Sequence, residues 1–433
     1  MPNISFGLVT AVTLSVAAVA VSGGCTTQKS ESSSPKLSTS SLQKVSPEVV
    51  TPKHQRDPLV IPKIRTDSPQ VAIGNLMAAI KTKSTLLEGG RADGNTQWEL
   101  VHHHLTRARY LGQIDGFRSA ENIVNALLKS QKPTADLLML RADVHGALHR
   151  FEAALKDLMA AESMGAKSTR VSRARQGIAL AQGKVTDVLK ARKAMAERYP
   201  SWKSLSRLAV AYAAADRYED ADAAYVAALG KYRSTSPFVV AWIFFARGVM
   251  WAEAAGDTAR GRVLYEAAVK HLPDYLVANI HLAELEAEAG QTAQAIRRLE
   301  RLDQPNIDPE LLGKLSGLME KTGQHIKAKV YAKRGKAGYD TLLEWAPKAW
   351  SDHGTEFFMD VGKDPARALK LAKLNLATRA TPRAKALVIE AAIESKRYES
   401  ACAIIRTQGD TAPVQIRLRE ALQAARPHCT KSP

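Results

Sequence analysis

Between Ala241 and Tyr275 the chain alternates small and bulky side chains on a helical period. Counting Ala241 as the first position, small residues fall at Gly248, Gly261 and Ala268 (positions 8, 21 and 28, the last two one beyond the family's 20 and 27). Bulky ones fall at Trp251 and Tyr265 (positions 11 and 25), and Pro273 ends the stretch. That spacing predicts two antiparallel helices. The small residues let their backbones approach, and the bulky ones fill the space beside them. Gly256-Asp257 separates the pair, and Asp257 is placed to cap the second helix. A single hairpin of this kind leaves an apolar face open, so it needs neighbours.

The neighbours are present. The same pattern starts at 202 (Ala209, Tyr212, Ala221, Tyr225, Ala228), at 276 (Ala283, Ala295, Leu299), at 135 (Ala142, Ala154, Leu158, Ala161) and at 309 (Ser316, Ala328). Fainter units start near 101, 169, 349 and 382. Two intervals are long, at Ser234–Val240 and Gly338–Lys348, where an insertion or an extended helix is expected. These residues resemble the tetratricopeptide repeat family, over roughly 101–413. The resemblance implies an all-α, right-handed superhelical solenoid of stacked helix-turn-helix hairpins with a concave groove. It also implies a scaffold for protein–protein interactions rather than an enzyme, with no cofactor.

Residues 1–24 carry no charged side chain, and Phe6–Val21 is apolar or small. Ser22-Gly23-Gly24-Cys25 follows, which resembles a bacterial lipobox. The resemblance implies a signal peptide over 1–24 and lipid attachment at Cys25. The motif departs from the family pattern at Ser22, where Leu is usual, and the leader lacks Lys or Arg. Residues 25–70 are rich in Ser, Thr, Pro and Lys and read as a disordered tether. Thr26, rather than Asp, follows the cysteine, which in such lipoproteins points to the outer membrane. The body is expected over 71–413. A first helix (Val71, Leu76, Ile80) should cap the first unit. Residues 414–433 should form a C-terminal capping helix and tail, with Ile416, Leu418 and Leu422 inward and Arg417, Arg419 and Glu420 outward.

The formal charge is +18, of which residues 1–70 supply +3. A basic body can meet a polyanion, or its Lys and Arg can simply solubilise Ala-rich helices. Only three cysteines occur. With Cys25 lipidated in an oxidising envelope, Cys402 and Cys429 either pair or remain two thiols. A bond would tie the cap to the last hairpin and contribute on the order of 3 kcal/mol.

No catalytic or metal constellation emerges. His102-His103-His104 are consecutive, so on a helix their side chains diverge. His145 and His149 stand at i and i+4 but lack the Glu of a metalloprotease helix and a third ligand. Gly177 to Gly183-Lys184 misses phosphate-loop spacing, and Val185 replaces the Ser or Thr needed after the Lys.

The family resemblance places ligands on the first helix of each hairpin. Carried over, it offers Arg170, Arg173, Lys203 and Arg207 as a basic patch, and Trp242, Phe245, Trp350 and Phe357 as aromatic contacts. Such a groove suits a peptide with an acidic or carboxylate end. The family's carboxylate clamp does not carry over, because Ala174, Met139 and Asp143 stand where its Asn, Lys and Asn would be. The sequence therefore reads as a membrane-anchored scaffold for assembling an outer-membrane, pilus, wall or polysaccharide machine, its partners being envelope proteins. The alternative is a basic repeat protein binding RNA, DNA or an acidic glycan. Nucleic acid ranks second because groove positions show no base-reading regularity and an export signal points away from it.

Overall fold

The computed structural model describes residues 58–408 and 415–429. The expected signal peptide, Cys25, the first part of the tether and the boundary at 413/414 lie outside the described residues. Within them, nine hairpins stack between two single helices. The first single helix is α1 (Pro69–Glu88). Hairpin 1 is α2 (Gly94–Leu111) and α3 (Asp115–Ser130), hairpin 2 is α4 (Ala135–Ala147) and α5 (Phe151–Ser163), and hairpin 3 is α6 (Ser168–Ala181) and α7 (Thr186–Arg198). Hairpin 4 is α8 (Trp202–Ala214) and α9 (Tyr218–Lys231). In hairpin 5, α10 (Pro237–Val249) runs into a π-helical turn (Met250–Ala254) before α11 (Thr258–His271). Then follow α12 (Leu276–Glu288) with α13 (Thr292–Glu300), and α14 (Pro309–Lys321) with α15 (His325–Trp345). The last two hairpins are α16 (Pro347–Met359) with α17 (Pro365–Thr378), and α18 (Pro382–Glu394) with α19 (Glu399–Gln408). The second single helix is α20 (Ile416–Cys429).

The small-residue rule is visible inside hairpin 5. A Cβ on Gly248 would come within 2.5 Å of the Tyr265 ring, and one on Gly261 within 2.4 Å of the Ala252 Cβ. Asp257 caps α11 by accepting from the Arg260 backbone N–H at 3.0 Å. The long interval at 338–348 is mostly the extended helix α15, while that at 234–240 is a loop up to Ser236 and then the first turn of α10. The run Pro237–Ala254 is long and apolar enough to cross a membrane, but 83% of it is buried inside the body, as a core helix would be.

Successive turns of the solenoid touch. The turn of hairpin 1 meets the loop before α14, where Ile114 N–H donates to Asn306 O at 3.1 Å and Asp308 N–H to Gly112 O at 2.8 Å. Hairpin 2 meets hairpin 8, with His149 Nδ1 3.1 Å from Lys348 O. Hairpin 3 meets hairpin 9, where a Cβ on Gly183 would lie 2.7 Å from Ala380 O. Hairpin 4 meets the residue before α20, with Gln415 Nε2 donating to Asp216 at 3.0 Å. The turns of hairpins 1–4 therefore rest against the following turn of the superhelix.

Two terminal expectations are adjusted, and one left open is settled. The tether was expected to reach residue 70, yet from residue 58 the chain is docked. Leu59 and Ile64 pack on the core, Val60 O accepts from Arg247 at 2.9 Å, and Asp67 N–H donates to Thr235 O at 2.7 Å. Arg417 was expected outward. It lies inside, 2.6 Å from Glu390 and 2.8 Å from Glu356, because α20 packs along α18 and not at a free end. Cys402 and Cys429 are joined by a disulfide, so the open pairing question is resolved in the bonded form.

A chain of buried ion pairs crosses hairpins 5–9. His281 lies 2.8 Å from Glu253, Lys314 2.6 Å from Glu284, and His353 3.3 Å from Glu310 and 3.7 Å from Asp352. Arg379 binds Asp352 at 2.5 Å, and Arg383 reaches Asp352 and Glu356. Such a chain adds little net stability over apolar packing, but losing one member strands its partner's charge.

Burial works against a charge on His353, but the Asp352 and Glu310 carboxylates outweigh it and lift the imidazolium to about 10. His353 thus holds its proton more tightly folded than unfolded. Its contribution is complete below pH 6.5 and is lost as pH rises toward 10. Unfolding free energy measured by urea titration should therefore fall between pH 7 and 9.5. His353→Gln should be less stable at pH 6.5 and show a much flatter alkaline limb. A variant with the wild-type slope would exclude His353 as the cause.

Candidate anion-binding site

Hairpin 3 departs from the others in one side chain. At position 24 of the repeat, where hairpins 2, 4 and 6 place Leu158, Tyr225 and Leu299 and hairpin 5 places Tyr265 one residue later, α7 carries Arg192. Arg192 is 3% exposed. Its Nη1 donates to Arg207 O at 2.8 Å, while its Nε has no hydrogen-bond partner. A guanidinium fills the space of a core ring less completely, and α6 and α7 pack more loosely than the helices of other hairpins.

The gap is a cavity of about 210 Å³ between α6, α7 and α8. Arg173 and Gln176 come from α6, three residues apart and so on one face, Arg192 from α7, and Arg207 from α8. Ser168, Thr169 and Ser172 belong to the start of α6, whose N-cap residue Lys167 gives no side-chain cap. No carboxylate lines this cavity. A second cavity of about 150 Å³ shares Arg173, Arg192 and Arg207 and adds Arg109, His149 and Arg379. Its one acid is Asp143, which lies 3.4 Å from His102 Nε2.

The cations feel one another. Burial pushes the Arg192 guanidinium down to about 10, with Arg207 adding to the effect. Burial followed by Arg173 lowers Arg207. Burial, then Arg207 and Arg173, lowers Lys203. Among the described residues neither Arg173 nor Arg207 has a carboxylate ion pair. The arrangement is chemically suited to accept an anion.

Of the four basic residues carried over from the resemblance, the structure brings together Arg173 and Arg207, with Lys203 beside them. Arg170 stands apart in an exposed pair with Asp136 at 2.5 Å. The aromatic set belongs to the core. Phe245 is 5% exposed, between Tyr265, Tyr275 and His281. Trp350 lies against Phe117 of hairpin 1 and against Trp345, Phe357 lies against Tyr339 and Phe358, and half-buried Trp242 lies against Tyr225. The expectation of aromatic groove contacts is corrected for Phe245, Trp350 and Phe357, which close packing between hairpins and turns has buried. Arg192 was missed because the resemblance directs attention to the first helix of each hairpin. Its signal was a cation at a ring position.

The histidines hold no metal cluster among the described residues. His145 binds Asp157 at 2.9 Å, and His149 contacts Lys348 O. His102 stacks on Trp98.

Fold and site together define a helical-repeat protein with a confined basic pocket. Residues 252–329, from the π turn into α15, match the family model described as tetratricopeptide repeat, so the chain carries repeats of that family. Tetratricopeptide repeats are in general binding scaffolds for partner proteins or peptides. No curated protein matches the sequence. Among solved structures, the chain is similar to the Cut9–Hcn1 hetero-tetramer of the APC/C, with 15% identity, 82% of this chain and 74% of that one covered, and a TM-score of 0.39. It is also similar to yeast Tom70 (12% identity, 84% and 87% covered, TM-score 0.31). A third is the C-terminal part of a TPR repeat-containing protein of Cytophaga hutchinsonii (16% identity, 59% and 93% covered, TM-score 0.30).

Phe245→Ala should destabilise the protein by about 3–5 kcal/mol in denaturant titration, as a buried ring does. Arg170→Ala should stay within about 0.5 kcal/mol of wild type, as an exposed pair does. Near-equal effects would contradict the placement of these two residues.

Proposed function

We propose that the protein is a lipid-anchored scaffold of a bacterial envelope, attached to the outer membrane through Cys25 with its repeat body on the periplasmic side. It holds envelope proteins by non-covalent contacts during assembly of a larger machine. The observation that carries this reading is the joining, in one chain, of a Ser22-Gly23-Gly24-Cys25 motif and a Ser/Thr/Pro/Lys-rich stretch to a tetratricopeptide repeat body. The contact between turns supports a division of labour. Large partners meet the outer surface, where Ile326 and Val330 stand out on α15, 83% and 53% exposed. The basic pocket receives an anionic group, such as the acidic or carboxylate end of a peptide.

The rival reading, a binder of RNA, DNA or acidic glycan, draws on the uncompensated arginines and the charge of +18. It ranks second because the basic cavities are small, about 210 and 150 Å³, whereas a polymer needs a continuous basic track.

The test is in-cell crosslinking of the full chain followed by mass spectrometry of the captured proteins and of its own N-terminal peptide. The expected result is a lipid-modified peptide beginning at Cys25, with one or two envelope proteins enriched and their capture reduced by Ile326→Glu. An unprocessed Met1 with RNA enriched, lost steeply as salt rises, would replace this reading with the rival.

A further inference from the structure

The pocket between α6, α7 and α8 has a geometry that a carboxylate does not use fully. Three arginines line it from three different helices, so it offers more cationic donors than one carboxylate needs. A carboxylate is planar, carries one charge, and is satisfied by one bidentate arginine. Three or more acceptor oxygens and a second charge suit this lining better. The first turn of α6 adds hydroxyls from Ser168, Thr169 and Ser172 and backbone N–H groups that its own cap leaves open. Arg192 lines this same cavity, is 3% exposed, and spends Nη1 on the Arg207 carbonyl at 2.8 Å, so its charge is held there without a carboxylate.

We propose that Arg173, Arg192 and Arg207, with the first turn of α6, form a binding site for a tetrahedral oxyanion, the phosphoryl or sulfuryl group of a ligand. The inner cavity behind the three arginines, with Phe117, Phe151 and Ile178 in its wall, gives room for part of the group's carrier. This rests on the reading of the pocket as the place where an anionic group docks, and it specifies which group. It does not depend on the lipid anchor. Mutual repulsion among Arg173, Arg207 and Lys203 supports the assignment. Folding gathers Arg173, Arg192 and Arg207 around a cavity that no carboxylate lines, and a dianion relieves what gathering them costs.

The test uses the full chain and reads thermal unfolding and calorimetric binding. The probes are inorganic phosphate, sulfate, acetate and succinate, against sodium chloride of equal ionic strength. Phosphate and sulfate should raise Tm saturably, and acetate, succinate and chloride should not. Arg207→Gln and Arg173→Gln should each weaken phosphate binding at least tenfold, while Lys329→Gln, the same charge change on an exposed remote helix face, should leave it within twofold. Without anion, Arg207→Gln should melt at or above the wild-type temperature, because it removes a repelling charge. That separates lost binding from lost folding. Equal response to acetate, succinate and phosphate would overturn the oxyanion assignment and leave a carboxylate pocket standing. An adventitious, non-saturable response unchanged in Arg207→Gln would overturn both.

Discussion

Contact between successive turns of the superhelix is the constraint on which the rest of this molecule depends. A solenoid normally satisfies each hairpin through its two sequence neighbours. Here hairpins 1 to 4 also meet hairpins 7 to 9 and the start of α20, through backbone hydrogen bonds at Ile114 and Asp308 and through the close approach of Gly183 to Ala380. An inner helix therefore has a third neighbour. Its side chains must fill or bridge that junction, as Trp350 does by packing on Phe117. The same closure turns what would be a long groove into small cavities.

The interior charges divide into two populations by how they are balanced. From Glu253 to Glu390 each acid has a basic neighbour: His281 for Glu253, Lys314 for Glu284, His353 for Glu310, and Arg379, Arg383 and Arg417 for the remaining three. That arrangement fixes the register of helices that slide easily when their contacts are only Ala and Leu. The cluster around Arg192 lacks such balance on its outer side. The contrast is sharpest at Arg192, which is as buried as the members of the ion-pair chain but has no carboxylate counter-charge. Purely structural buried charges would be expected to follow the first pattern.

Much of the fold was legible because it is local. Unit starts at 202, 276, 309 and 382 coincide with the first residues of α8, α12, α14 and α18, since small residues at positions 8 and 20 are forced by helix–helix distance. The first unit begins at Gly94 rather than 101, because α2 is longer than the repeat and its extra turn packs under α1. The burial of Phe245 and the inward path of Arg417 were not legible. Both depend on how far the superhelix turns per hairpin and where the last helix lands, which no single repeat records. Two of the three arginines of the basic cluster, Arg173 and Arg207, were visible, as was Lys203 beside them. Arg192 was hidden by a rule that looks for ligands on first helices only, although its departure from Leu158, Tyr225 and Leu299 at the same position was written in the sequence.

The position of the pocket joins these strands. Its inner cavity is bounded by Arg379, which also holds Asp352 in the balanced ion-pair chain, and by His149, whose ring reaches Lys348 on the next turn. Burial, with Arg379 beside it, pushes the His149 imidazole down to about 3, so it stays neutral and adds no further positive charge to the cavity. Occupancy of the cavity therefore touches hairpins 1, 2 and 3 on one turn and the hairpin 8–9 junction on the next. In an open repeat array a ligand bridges adjacent units. In this closed one an anion at Arg192 and its carrier behind it would rest against both turns at once, so the geometry that confines the site also ties its occupancy to the closure of the superhelix.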